Sequence, residues 1–90
     1  MGRTERRLLK ILDELERLRE ERRMAVGELD MLRHIDDDAQ RDAAGGSALD
    51  RDEARITSQD VARFEQEIEH LDGKIEALEA KRLELLDKLG

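Results

Sequence analysis

The sequence predicts an all-α protein: two long helices folded into an antiparallel coiled-coil hairpin, which dimerises into a four-helix arrangement. Three observations carry this expectation. Charged residues make up 46 % of the chain, with both signs mixed, while a 38 % apolar fraction recurs at helical spacing. Proline is absent, so nothing forces a helix to break. The only Gly-Gly pair, Gly45-Gly46, falls between two matched apolar series. Ninety residues suffice for one small domain, so residues 1–90 read as a single helical-hairpin domain.

The first helix is expected from about Thr4 to Ala44. Leu8, Leu15, Arg22, Leu29 and Asp36 stand seven apart, as do Ile11, Leu18, Ala25, Leu32 and Ala39. Together they form the a and d positions of a heptad seam. Leu12 and Val26 widen that seam at e. Gly45 and Gly46 end the helix, because glycine tolerates the left-handed conformation common just past a helix end. The turn is placed at about 45–47.

The second helix is expected from about Ala48 to Leu89. Its a series is Ala54, Val61, Ile68, Ile75, Arg82 and Leu89; its d series is Thr57, Phe64, Leu71, Leu78 and Leu85. Ser47 is placed to cap the start, with Asp50 as the acid of a capping box. Asp50, Asp52 and Glu53 also stand near the positive end of the helix dipole. Thr57 with Asp60 is an alternative cap, which would lengthen the loop to residues 45–56. A short link between amphipathic helices favours an antiparallel hairpin. A bend between Ala48 and Leu49 sets Leu8 against Leu89 and Leu29 against Ile68, with Leu32 near Phe64.

Arg22 and Arg82 interrupt the seam at a positions. Their stems can pack while their heads reach solvent or flanking acids. A hairpin of this size buries one stripe per helix and is marginal alone. A further apolar set, Met24, Met31 and Ile35 with Leu49 and Ile56, lies off the seam toward the loop end. That set predicts self-association, most simply a homodimer.

Composition excludes several classes. Without cysteine there is no disulfide, Cys-based zinc site or thiol chemistry. No run approaches the roughly 20 apolar residues of a membrane span, and the start has no signal-peptide apolar core. A cytoplasmic protein with no membrane partner is the expectation. The net charge of −7 argues against nucleic acid as a partner. The basic start, Arg3, Arg6, Arg7 and Lys10, lacks aromatic neighbours for base stacking. His34 and His70 fall outside the seam on different outer positions and are too few to suggest a metal site, whose ligands normally come as three or four converging groups. Gly27 and Gly73 also lie off the seam, where each weakens its helix by about 1 kcal/mol relative to Ala. No nucleophile stands beside a base, so neither catalysis nor a cofactor is expected.

The stretch DDDAQRDAAGGSALDRDE, residues 36–53, holds seven acids against two bases and so most of the excess negative charge. Its acids do not follow the alternating spacing of a calcium loop, and no metal is expected there. The remaining readings are a solvated, dipole-capped turn and an end that recognises a protein partner. An antiparallel hairpin with an acidic tip resembles the coiled-coil finger of Gre-type and DksA/TraR-type transcription factors. The segment RDEARITSQDVARFEQEIEHLDGKIEALEAKRLELL is similar in texture to the returning helix of a Gre finger. The Gre tip motif, a second domain and a Cys zinc motif are all missing. That resemblance implies RNA polymerase as a partner and Asp42, Asp50, Asp52 and Glu53 as tip carboxylates. The leading expectation from the residues themselves is a non-enzymatic coiled-coil adaptor that binds an unidentified protein partner.

Overall fold

A computed structural model describes residues 2–90. The chain forms two helices, α1 (Arg3–Ala43) and α2 (Ala48–Leu89), packed against each other as a hairpin. Along α1, contacts across the seam run to progressively later residues of α2 as the α1 number falls. Gln40 reaches Ala54 and Ser58, Arg22 reaches Asp72, and Arg19 reaches Glu79. The packing is therefore antiparallel.

The reversal takes four residues. Gly45 N donates to Asp42 O and Gly46 N to Ala43 O, each at 3.0 Å, closing the last turn of α1 with tighter bonds than the helix interior uses. Gly46 then adopts φ = 92°, a left-handed conformation that only glycine enters without a Cβ penalty. Ser47 Oγ accepts from Asp50 N at 3.4 Å, a long capping bond, and α2 starts at the next residue. Thr57 therefore lies inside α2 rather than at its start. Arg51 Nη1 donates to Gly46 O at 2.9 Å and ties the first turn of α2 back onto the turn.

The heptad seam decides what is buried. Among the described residues, all nine buried apolar side chains occupy a or d positions. They divide between two compact units. Residues 2–23 with Glu69–Gly90 form one, whose core is Leu15, Leu18, Leu71, Ile75 and Leu85. Leu15 and Leu85 are fully buried there, at 1 % and 0 % exposure. Met24–Ile68 form the other, whose core is Ala25, Leu29, Ala39 and Ala54. The first unit is thus packed with leucine and isoleucine, and the second largely with alanine.

Polar seam residues are accommodated in different ways. Arg22 keeps its stem in the seam and donates through Nε to Asp72 Oδ1, with Nη2 at 3.4 Å from Oδ2. The neighbouring carboxylate raises the Arg22 pKa further through that hydrogen bond and its charge. Arg82 is half-buried. Leu89, placed in the seam by the heptad pattern, is 46 % exposed.

Candidate protein-interaction surface

The sequence singles out tip acids and off-seam apolar residues as two separate groups. The structure brings members of both onto one flank of the Met24–Ile68 unit. Ile35, Asp38, Ala39 and Asp42 of α1 line a shallow groove with Glu53, Ile56 and Thr57 of α2. Ile35 and Ile56 are about half exposed and supply its apolar lining, while Asp38, Asp42 and Glu53 form a negative rim. Asp38 pairs with Arg41 on its own helix at 3.5 Å. Among the described residues, Asp42 and Glu53 take part in no ion pair.

The other two tip candidates lie elsewhere. Asp50 is half-buried, with its backbone engaged by the Ser47 cap. Asp52 is exposed and does not line the groove. A different concavity of the same unit is lined by Gln40, Arg51, Arg55 and Ser58. Three of the loop-end acids thus gather at one groove, while basic side chains line the other concavity. The spacing carries this signal: Ile35 and Asp42 stand seven apart, and Glu53 and Ile56 three apart, so each pair shares a helix face.

The remaining self-association candidates are exposed as their spacing implies. Met24 and Met31 are 62 % and 60 % accessible, and Leu49 is 72 %. In the other unit Leu9, Leu12, Leu83 and Leu86 are also exposed, at 40–61 %. Leu9, Leu83 and Leu86 escape a reading that looks for apolar residues near the loop, although the same heptad arithmetic puts them off the seam.

A polar cluster crosses the seam beside the groove. Asp36 Oδ1 accepts from Gln40 Nε2 at 3.1 Å, Thr57 Oγ1 at 2.8 Å and Ser58 Oγ at 3.0 Å. Gln40 Nε2 also reaches Ala54 O at 3.1 Å. Hydrogen bonds from Gln40, then Thr57 and Ser58, favour the charged carboxylate and hold the Asp36 pKa below its usual value. This cluster joins the two helices at one stagger.

His34 and His70 are exposed. Among the described residues, no group of three or more His, Asp or Glu side chains is placed to hold a metal ion. Among the described residues, no helix is long and apolar enough to cross a membrane. Arg3, Arg6, Arg7 and Lys10 line a common concave surface at the start of α1. Comparison of the chain with protein-family models, curated proteins and solved structures gave no match.

Proposed function

We propose that this protein is a non-enzymatic helical-hairpin module that works by binding proteins, beginning with a second copy of itself. The observation behind this reading is the exposure of Met24, Met31, Ile35, Leu49 and Ile56 on one unit, each between 47 % and 72 % accessible. Two helices provide no third layer to cover them. A homodimer in a four-helix arrangement would turn these side chains inward. Full burial of such a side chain contributes about 1.5–3 kcal/mol, and partial burial less. Association itself costs about 4–15 kcal/mol, so a dimer built on these residues is of modest affinity. The acidic flank serves as a recognition end for a basic protein surface. The grooves are open to solvent, which offers no shielded place for a reaction, and no cofactor enters the reading.

Sedimentation velocity over a concentration series tests it. Dimer formation in the micromolar range is expected, with Met24→Lys and Met31→Lys together shifting the protein to monomer. A wild-type protein that stays monomeric at high micromolar concentration would refute the reading.

The exposed carboxylates Asp42, Asp52 and Glu53, carried on the two helix ends that flank the turn, support a second reading. In it the hairpin enters the secondary channel of RNA polymerase and presents tip carboxylates. Co-purification with core RNA polymerase that is lost on Asp42→Asn, Asp50→Asn, Asp52→Asn and Glu53→Gln would favour it. Binding to other proteins that ignores those changes would favour the adaptor.

A further inference from the structure

We propose that the acidic groove between Ile35 and Ile56 is a docking site for the basic start of a second copy of this chain, Arg3 to Lys10. The inference rests on the self-association reading and names the surfaces that meet.

The groove is built for a cationic occupant. Asp38, Asp42 and Glu53 surround an apolar lining of Ile35 and Ile56, and Asp42 and Glu53 have no cationic partner among the described residues. Pairing this groove with the same groove of another copy would set six carboxylates together, which like-charge repulsion disfavours. The chain supplies a complement of its own. Arg3, Arg6, Arg7 and Lys10 follow i, i+3, i+4, i+7 spacing and line one concave surface. None of them joins an ion pair among the described residues. Leu9, 47 % exposed, stands three residues after Arg6 and so borders the same strip.

The fit is chemical as well as electrostatic. Arginine and lysine stems lie along apolar surface while their heads reach carboxylates, so the two isoleucines and the three acids are served by the same side chains. The guanidinium fork can engage a carboxylate through two donors. Exposed ion pairs are individually weak, so the charges select orientation while the apolar contacts supply most of the affinity. Two copies that each carry a net charge of −7 repel in most orientations. The basic start can approach the acidic groove without that repulsion, whereas the concavity lined by Arg51 and Arg55 would turn it away from the other flank.

Complementary charge reversal tests the pairing. One variant carries Asp38→Lys, Asp42→Lys and Glu53→Lys; another carries Arg3→Glu, Arg6→Glu, Arg7→Glu and Lys10→Glu. Sedimentation velocity at low salt should show each variant alone associating about tenfold or more weakly than wild type, because several contacts are reversed together. An equimolar mixture of the two should recover wild-type association, because each supplies the surface the other lacks. Circular dichroism checks that both remain helical. Zero-length carbodiimide coupling of mixed-isotope wild-type protein gives an independent readout. A link between copies from Lys10 to Asp42 or Glu53 is expected. Variants that associate like wild type, a mixture no better than its parts, or no such link would overturn the pairing while leaving self-association intact. A wild-type protein that never associates would overturn both.

Discussion

Asp36 shows how one side chain can set the behaviour of a seam. A carboxylate at a core-facing position normally weakens a coiled coil, yet here three donors converge on it. Because its pKa is depressed in the folded chain, its contribution is present above the unfolded value of about 3.9 and is lost as pH falls through the folded value. The melting temperature should therefore drop as pH is lowered below about 4. Asp36→Asn should drop less over the same window. Glu20, whose pKa is lowered first by the Arg23 hydrogen bond, titrates in that window too, so some of the drop remains in the variant. Identical pH profiles for the two proteins would remove Asp36 from this account. The spacing of seven places Asp36 and Thr57 in the seam. It does not reveal that Gln40 and Ser58 complete a cluster with them. Hydrogen bonding across the seam depends on the axial stagger of one helix against the other, which periodicity does not fix.

The helices themselves were legible because heptad spacing survives across 41 and 42 residues and proline never interrupts it. The buried set falls on the a and d series, and the polar positions Arg22, Asp36 and Arg82 are half-buried, as the pattern requires. What escaped was the lateral grouping: that Asp42 and Glu53 share a flank with Ile35 and Ile56, while Asp50 and Asp52 do not. Acid counts along a segment ignore the helical angle between its members, and that angle separates a groove from a diffuse charge. Gly27 and Gly73 give the clearest prediction at this scale. A Cβ at either position meets nothing within 4 Å, and neither residue has positive φ. Replacement by alanine should stabilise each helix by about 1 kcal/mol. A double variant should melt higher by circular dichroism, whereas an unchanged or lower melting temperature would mean these glycines serve something other than slack in the helix. Gly46 responds in the opposite sense, since its φ of 92° strains any side chain.

As a whole, the molecule has little interior and much presentable surface. Both function readings depend on what the exposed side chains meet, so oligomeric state is the measurement that separates a self-assembling module from a finger that acts alone. The alanine-filled core of residues 24–68 has a consequence of a different kind. Alanine removes far less apolar surface from water than leucine, so Ala25, Ala39 and Ala54 hold their turns together more weakly than Leu15, Leu71 and Leu85 hold theirs. Backbone amides in residues 24–68 should trade their hydrogens for deuterium sooner than those around Leu15, Leu71 and Leu85 in the leucine-packed unit. Mass spectrometry of timed, quenched samples would read that difference directly; equal rates would mean that alanine packing and the Asp36 cluster together hold as firmly as leucine. On that expectation the groove is carried on the more readily opened part of the chain, and an occupant that closes over it should slow the exchange clock there first.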